Sequence, residues 1–236
     1  TVIVTGGATG LGAAICTEFA QEGANRVIFD LVDPPASRVG ESSLYINGDV
    51  TRAEDIQGAL DETHERFHGI DILVNNAGIW PSAKVVDMND SEWERVLRVN
   101  LTGAFLFSKR FVSYLLSQKR PGQIINIVSP VAFQGSANGH SHYAAAKAGL
   151  VSFTRSLALE TAGSGIRVVA VAPGLMRTEM TRSTFDANYD NYIKRVPLGR
   201  FIEPAEVAQV VVFMASERAS CITGATINAT GGMLEH

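Results

Sequence analysis

The sequence has few of the features that mark secreted, membrane-spanning or metal-binding proteins. Only two of its 236 residues are cysteines, and Cys16 and Cys221 are too far apart to form a metal-binding motif. We expect both to be small core residues of a protein in a reducing compartment, and we predict no metal site. The longest uninterrupted apolar run, residues 210–215, is far shorter than the roughly 20 residues that a membrane-spanning helix requires.

The charge distribution excludes another class of partner. The formal net charge is −4, and no segment is rich in lysine or arginine, so we predict no nucleic-acid surface and no membrane partner. No signal peptide is recognised, which predicts a cytoplasmic protein. The chain begins inside an apolar run, TVIV, so we expect a short segment to precede it.

Apolar residues make up 46% of the chain and charged residues 19%, a balance typical of one globular domain over residues 1–236. Strand-like and helix-like segments alternate throughout, and the strands are continuous apolar runs. This pattern predicts an α/β fold with a doubly wound parallel sheet covered by helices on both faces. The predicted strands are residues 1–4, 26–30, 43–47, 71–78, 123–129, 166–174 and 225–228. The predicted helices are residues 13–22, 53–67, 91–98, 102–116 and 204–215 and one containing Tyr143.

One long stretch lacks a clear pattern. Residues 178–203 are rich in charged and aromatic side chains, and segments of this length inside a domain are commonly lids or binding loops. We therefore predict a substrate loop or lid over about 178–203.

A glycine-rich segment, TGGATGLG, follows the first predicted strand. Gly6, Gly10 and Gly12 fall where the strand must turn tightly into a helix, and glycine lets backbone N–H groups approach a pyrophosphate. Glycines of this kind can also simply form a turn. Asp30, however, ends the next strand, eighteen residues after Gly12, where a carboxylate can bind the adenine ribose. The segment therefore predicts a dinucleotide site.

Asp30 also bears on which dinucleotide binds. A carboxylate here repels a 2′-phosphate, and Leu31 and Val32 follow instead of an arginine, so NAD is favoured over NADP. The alternative is that Asp30 is an ordinary turn residue. Asp49 and Val50 follow the third strand and could receive the adenine, although Asp49 could equally be the N-cap of the next helix.

A tyrosine and a lysine, Tyr143 and Lys147, lie four residues apart in an alanine-rich segment that should be helical. Both side chains then project from one face of the helix. Most such pairs are only solvated surface contacts.

In order, the motifs are TGGATGLG, Asp30, NNAG from residue 75, Asn100, Ser129, Tyr143-x-x-x-Lys147 and Pro173–Gly174. This series closely resembles the classical short-chain dehydrogenase/reductase (SDR) family over almost the whole chain. The resemblance implies a seven-stranded parallel Rossmann sheet, a homotetramer and a nicotinamide cofactor across the carboxyl ends of the strands.

The resemblance also implies roles for individual residues. Tyr143 would exchange a proton with the substrate, and Lys147 would lower the pKa of the tyrosine and bind the nicotinamide ribose. Ser129 would donate to the substrate oxygen, and Asn100 would hold a water of a proton relay. The implied cofactor-binding residues are Gly6, Thr9, Gly10, Leu11, Gly12, Asp30, Asp49, Val50, Asn76, Ala77, Gly78, Tyr143, Lys147, Pro173, Gly174 and Thr178.

The sequence departs from the family pattern at one point. The spacing from Ser129 to Tyr143 is one residue longer than usual, and Pro130 follows the serine directly. The extra residue could be absorbed in the intervening loop, or another hydroxyl such as Ser136 or Ser141 could take part. We retain Ser129 because it occupies the end of the strand.

The substrate pocket is predicted from side-chain type. The principal candidates are Trp80, Phe133, His140 and Met176, and further candidates are Gln134, Met180, Phe185, Tyr189, Tyr192 and His142. These side chains suit an apolar or aromatic alcohol or ketone, although they could equally be core or interface residues.

The leading hypothesis is an NAD-dependent alcohol dehydrogenase that oxidises a secondary alcohol to a ketone. A 3-oxoacyl-type keto reductase is the alternative within the family, which Asp30 disfavours by disfavouring NADPH. A non-catalytic nucleotide-binding scaffold and a Rossmann methyltransferase are alternatives from other classes.

Overall fold

Strands and helices alternate in the computed structural model, which describes residues 1–179, 181–187 and 189–234. The strands are β1 (Val2–Thr5), β2 (Arg26–Asp30), β3 (Ser43–Asn47), β4 (Ile72–Asn75), β5 (Gly122–Ile127), β6 (Ile166–Pro173) and β7 (Thr226–Ala229). The helices are α1 (Gly10–Gln21), α2 (Ala53–Phe67), α3 (Asp90–Leu97), α4 (Gly103–Gln118), α5 (Val131–Gln134), α6 (Ser141–Thr161), α7 (Arg182–Ala187), α8 (Tyr189–Ile193) and α9 (Pro204–Ala215).

The seven strands form one sheet in the order β3-β2-β1-β4-β5-β6-β7, and every neighbouring pair is parallel. The strand order reverses between β1 and β4, and a crevice opens outside the carboxyl ends of an open α/β sheet at such a point. The α/β class and the doubly wound seven-stranded parallel sheet are therefore confirmed.

Apolar side chains on both faces explain why these segments are strands. All four residues of β1 are buried, as are seven of the eight residues of β6. On one face, α1 and α9 pack through residues such as Phe19 and Val211, and on the other, α2 and α4 pack through residues such as Leu60 and Phe107. The central strands thus bury both of their faces, as a parallel sheet between helical layers requires, whereas the edge strands β3 and β7 are only partly buried.

A chain of buried polar side chains links the middle of the sheet to two helices. Asn75 Nδ2 donates to Ser108 Oγ at 3.0 Å and to Asn126 Oδ1 at 2.8 Å. Asn126 Nδ2 in turn donates to Thr154 Oγ1 at 2.9 Å. These four residues belong to β4, α4, β5 and α6, so one hydrogen-bonded chain sets the relative positions of four elements.

Several predicted boundaries differ from the observed ones. The first helix begins at Gly10 rather than at residue 13, because the N–H of Ala13 already donates to the carbonyl oxygen of Thr9 at 3.0 Å. The helices predicted at 91–98 and 102–116 do not break, because a π-helical turn, Arg98–Thr102, joins α3 to α4. The stretch 178–203 is not wholly irregular, since it carries the short helices α7 and α8. Among the described residues, none of the helices is long and apolar enough to cross a membrane.

Candidate active site

A cleft of about 1170 Å³ lies at the carboxyl ends of the strands, where the strand order reverses. It is lined by Asn100, Ser129, Tyr143 and Lys147 and by every predicted cofactor-binding residue except Gly12. The cleft therefore brings together predicted residues as far apart in the sequence as Gly6 and Thr178.

The glycine-rich turn has the shape that a phosphate cradle needs. Gly6 and Gly10 have φ values of +62° and +52°, in the left-handed region that favours glycine. Gly12 does not line the cleft, which corrects its assignment as a cofactor contact. Its role is steric, because a side chain there would collide with the Gly6 carbonyl and come within 2.7 Å of Asn76 Nδ2.

The NNAG turn is hydrogen-bonded to the end of β1. Asn76 Nδ2 donates to the carbonyl oxygens of Thr5 and Gly6, each at 3.0 Å. Thr5 Oγ1 accepts from the backbone N–H groups of Asn76 and Ala77 at 3.0 Å. The side chain of Asn76 thus fixes the glycine-rich turn, and this positions the turn for a ligand in the cleft.

The carboxylate of Asp30 lies at the edge of the cleft beside this turn. Its two oxygens accept from the N–H groups of Ala8 at 2.9 Å and Val32 at 3.2 Å. No ion pair to Asp30 occurs among the described residues, and Leu31, which is largely exposed, supplies an apolar wall. Carboxylate, glycine cradle and helix N-terminus together fit the adenosine pyrophosphate half of a dinucleotide.

Asp49 and Val50 line the same end of the cleft. Asp49 Oδ1 accepts from the N–H of Thr51 at 2.8 Å, whereas the N-cap of α2 is Arg52. The alternative role of Asp49 as the helix N-cap is therefore wrong, since its carboxylate closes the turn before the helix.

Tyr143, in the first turn of α6, lies beside Ser129 at the end of β5. Burial raises the pKa of Tyr143 to about 12, and its hydrogen bond with Ser129 lowers the pKa by a smaller amount. This differs from the expected depression by Lys147. The physical reason is desolvation, which disfavours the charged phenolate more than the neighbouring groups stabilise it.

Lys147 lies one turn further along α6 and is 3% exposed. Its Nζ donates to the carbonyl oxygen of Ile127 at 2.7 Å and lies 5.6 Å from the ring centroid of Tyr143. Burial lowers the pKa of Lys147 to about 8. The pair is therefore not a solvated surface contact, because Lys147 is buried and Tyr143 is partly buried on the cleft side of the helix.

Asn100 lies in the π-helical turn between α3 and α4 and is buried. Its Nδ2 donates to the carbonyl oxygens of Ile79 and Val96, each at 3.0 Å, and its Oδ1 accepts from the N–H of Ile79 at 3.3 Å. Both amide hydrogens are used, so a relay water could contact this residue only through an oxygen atom. Ile79 itself lines the cleft and was not predicted to do so.

The structure separates the substrate candidates. Trp80, His140 and Met176 line the cleft, as do Gln134, Phe185 and Tyr192. Phe133 does not and is 38% exposed on α5, so its assignment is corrected. Tyr189 packs edge-on against Phe201 instead, and His142 is buried behind the cleft beside Glu92. Met180 lies outside the described residues.

The segment between Ser129 and Tyr143 contains α5 and the loop after it. Ser136 lines the cleft, where its Oγ accepts from the N–H of Asn138 at 3.3 Å. Ser141 Oγ is buried without a hydrogen-bond partner and does not line the cleft. Ser129 is thus the serine whose side chain is hydrogen-bonded to the tyrosine.

Further cleft residues escaped the sequence analysis, and Arg98, Arg195 and Met233 are examples. Arg98 lines the cleft and donates to the Thr51 carbonyl at 2.9 Å, and Met233 enters from the last loop, where its carbonyl accepts from Gln134 at 2.8 Å. Arg195 follows α8. None of them belongs to a motif, so only the tertiary fold could identify them. In the part of the chain that the structure describes, acidic, histidine and cysteine side chains nowhere form a group of three that could hold a metal ion.

Comparison with known proteins places the chain among oxidoreductases. A family profile described as enoyl-(acyl carrier protein) reductase matches residues 6–234. The 3-oxoacyl-[acyl-carrier-protein] reductase FabG of Thermotoga maritima is 39% identical over 240 residues, covering 98% of this chain and 96% of that protein. An uncharacterised oxidoreductase of Mycobacterium bovis is 39% identical over 238 residues, with the same coverage.

Solved structures agree with this grouping. A short-chain type dehydrogenase/reductase from Mycobacterium marinum superposes with a TM-score of 0.92 at 30% identity, covering 100% of this chain and 95% of that one. A short chain dehydrogenase from Bacillus anthracis gives a TM-score of 0.87 at 34% identity, covering 100% and 96%.

Fold and cleft together define an oxidoreductase of the Rossmann class that uses a nicotinamide cofactor. More narrowly, the chain belongs to the short-chain dehydrogenase/reductase family, as the ordered motifs of the sequence indicated.

Proposed function

We propose that this protein is an NAD-dependent alcohol dehydrogenase that interconverts a secondary alcohol and a ketone, with an apolar or aromatic group on the substrate. The observation that carries the proposal is the group formed by Ser129, Tyr143 and the buried Lys147, which faces the same cleft as Asp30 and the glycine cradle. A scaffold or a methyltransferase that only binds a nucleotide has no need of this group.

Tyr143 is the proton donor and acceptor in the proposed reaction. In the reducing direction its phenol gives a proton to the carbonyl oxygen, which becomes the alcohol hydroxyl, and in the oxidising direction the phenolate takes that proton back. Nicotinamide dinucleotide, when bound, supplies or accepts the hydride at the substrate carbon. Because burial raises the pKa of Tyr143 to about 12, the phenol is protonated and ready to act as an acid at neutral pH.

Ser129 and Lys147 support the tyrosine in different ways. The Ser129 hydroxyl donates to the same substrate oxygen and stabilises its developing negative charge. The Lys147 ammonium stabilises the phenolate by charge, and it is held in place by the Ile127 carbonyl. Asn100 is proposed to hold a water that returns protons from solvent through one of its oxygen atoms.

NAD is proposed over NADP because Asp30 at the end of β2 and Leu31 directly after it, which both line the cleft, are acidic and apolar. Asp30 faces the position of the ribose hydroxyls without a cationic partner among the described residues, and Leu31 beside it is apolar. A 2′-phosphate would meet a carboxylate there.

The test is a Tyr143→Phe variant assayed with NAD and a panel of secondary alcohols. Turnover should fall by about 10²–10⁴-fold, which general acid–base catalysis typically contributes, while NAD binding measured by fluorescence quenching stays nearly normal. Tyr114→Phe is the matched control, since Tyr114 lies on α4 in a separate groove and does not line the cleft. Unchanged turnover in Tyr143→Phe would refute the proposed mechanism.

The names of the relatives favour a second candidate, the reduction of a 3-oxoacyl group carried on an acyl carrier protein. The chemistry at the reacting carbon is the same, because a 3-oxoacyl thioester is also a ketone. The two candidates differ in what the ketone carries and in the preferred cofactor.

A direct comparison separates the two candidates. Acetoacetyl-coenzyme A reduction is measured with NADH and with NADPH and compared with NAD-linked oxidation of the alcohol panel. A kcat/KM for the thioester that exceeds every alcohol and ketone, with NADPH preferred, would replace the first candidate by the second.

Two further expectations from the sequence are retained as proposals. We propose a homotetramer in the cytoplasm, and the support for assembly is the exposed apolar surface on α4, where Phe105 is 42% and Leu116 51% exposed. Residues 178–203 are proposed to act as a substrate lid, because Phe185 and Tyr192 from this segment line the cleft.

A further inference from the structure

The imidazole of His140 is held rigidly in the wall of the cleft. His140 is the N-cap of α6, three residues before Tyr143, and it is 7% exposed. Its ring stacks on the indole of Trp80, with the centroids 4.3 Å apart and the planes 20° apart. Its Nδ1 lies 2.8 Å from the carbonyl oxygen of Pro81. Stacking and hydrogen bond together fix both the plane and the rotation of the ring.

These contacts determine which nitrogen carries the hydrogen. A carbonyl oxygen only accepts, so Nδ1 of His140 must be the donor in the bond to Pro81. Burial lowers the pKa of His140, and the nearby His142 lowers it further, while the Pro81 carbonyl opposes this shift. At neutral pH the ring is therefore neutral, and Nε2 carries a lone pair and no hydrogen.

The lone pair on Nε2 of His140 is available to accept a hydrogen bond. The structure gives Nε2 no hydrogen-bond partner among the described residues, and Nε2 is not one of the fully buried unpartnered atoms. Since His140 lines the cleft, the surface that Nε2 retains is open to a ligand there. An acceptor held this rigidly favours a ligand that brings a donor.

We propose that His140 is a specificity-determining residue that accepts a hydrogen bond from a second polar group of the substrate. The inference rests on the proposed function and narrows it. The preferred substrate is a ketone or secondary alcohol that carries a hydroxyl or N–H donor close to the reacting carbon. The donor must be close because His140 and Tyr143 lie within one turn of the start of α6. A substrate that carries a methyl group in place of this donor leaves Nε2 without a hydrogen bond, and its kcat/KM should be lower.

The test uses two pairs of ketones in which a terminal methyl is replaced by a hydroxyl. 2-Hydroxyacetophenone is compared with propiophenone, and 3-hydroxypropiophenone with butyrophenone, by NADH consumption. The kcat/KM ratio of hydroxyl to methyl member is measured in the wild type and in His140→Asn. Asparagine can still donate to the Pro81 carbonyl but has no acceptor at the position of Nε2. The stacking on Trp80 is also lost, but it is lost for both members of a ketone pair.

In at least one pair, the ratio in the wild type should exceed the ratio in His140→Asn by about tenfold or more, the usual cost of an unpaired polar group. Comparing ratios cancels the difference in reactivity between the two ketones. His64→Asn is the matched control, since His64 is bonded to Tyr114 in a separate groove, and its ratios should equal those of the wild type. Equal ratios in the wild type and His140→Asn would overturn the inference and leave the proposed function intact.

A second measurement does not depend on turnover. Nitrogen-15 NMR of labelled histidines should show His140 as the neutral Nδ1–H tautomer at pH 7. His142 is an internal contrast, because its Nδ1 accepts from the N–H of Tyr143 at 2.9 Å and it should be the Nε2–H tautomer. A hydrogen on Nε2 of His140 would refute the inference even if no ketone is reduced. Failure of the whole ketone and alcohol panel, by contrast, would refute the proposed function.

Discussion

Burial is the strongest influence on the two ionisable side chains at the centre of the site. It opposes charge on both, and therefore raises the pKa of Tyr143 to about 12 and lowers that of Lys147 to about 8. Their helical spacing was readable from the sequence. Their burial was not, because it depends on packing against β5 and the wall of the cleft.

The lowered pKa of Lys147 predicts a dependence of stability on pH. Its pKa falls from 10.5 in the unfolded chain to about 8 in the folded protein. The charged lysine therefore destabilises the folded protein below pH 8, and this destabilisation decreases as the pH rises. Relative to Lys147→Met, the wild type should gain about 2 kcal/mol in free energy of unfolding between about pH 7 and about pH 9.5. Urea denaturation of both proteins, without cofactor, measures this. Tyr143 is present in both and titrates above this range. The prediction would be contradicted if the free energy of unfolding changed with pH by the same amount in both proteins.

A second prediction at this scale concerns Asp30. In Asp30→Asn the amide oxygen can still accept from the N–H of Ala8, but the negative charge is gone. The ratio of the NADP to the NAD dissociation constant should therefore fall by about tenfold or more, as repulsion of the 2′-phosphate is removed. Fluorescence titration with each dinucleotide measures the ratio. Asp33→Asn, which removes a neighbouring carboxylate that does not line the cleft, should leave the ratio nearly unchanged. An unaltered ratio in Asp30→Asn would reject Asp30 as the selecting residue.

The turn from β1 into α1 should tolerate little substitution at its glycines. Gly12→Ala should abolish measurable NAD binding and lower stability by about 1–3 kcal/mol, because the added methyl collides with the Gly6 carbonyl. Isothermal titration and thermal unfolding measure the two effects. Gly58→Ala is the matched control, since nothing lies within 4 Å of the added methyl on α2. It should stabilise the protein by about 0.5–1 kcal/mol through helix propensity and leave binding unchanged. Normal NAD binding by Gly12→Ala would show that the turn is not a tight cradle.

Segments with strong periodicity were predicted closely. The strand at Arg26–Asp30 and the helices at Ala53–Phe67 and Pro204–Ala215 were located to the residue, because each combines an apolar pattern with clear flanking signals. The π-helical turn at Arg98–Thr102 was missed, since its sequence is helical in pattern and only the hydrogen bond from Gly103 back to Arg98 distinguishes it. Of the site, the motifs predicted the glycine cradle and the group of Ser129, Tyr143 and Lys147, whereas Ile79 and Met233 enter the cleft only through the tertiary fold.

The molecule as a whole leaves an apolar surface on α4 uncovered. Phe105 and Leu116 lie on one side of this helix, and Phe105 packs edge-on against Phe153 of α6 at 5.9 Å. A patch of this kind on a folded chain indicates an interface. It supports the proposed tetramer, in which a second copy would cover the patch.

Sedimentation of variants tests the tetramer. Phe105→Glu should shift the protein to smaller species, because a carboxylate at the covered interface would be buried without a partner. Gln21→Glu adds the same charge at an exposed position of α1 and should sediment like the wild type. A wild-type protein that sediments as a monomer would refute the proposed assembly.

The hydrogen-bonded chain through Asn75 and Asn126 has a consequence for heat inactivation. It joins β4, the strand β5 that precedes Ser129 and the helix of Tyr143, so amide hydrogens in these elements should exchange with deuterium only on global opening. The helices α7 and α8 have only six and five residues, and helices this short are marginally stable, so their amide hydrogens should exchange earlier. On gentle warming, substrate binding should therefore weaken before the catalytic step is affected. KM should rise at temperatures at which kcat is still unchanged.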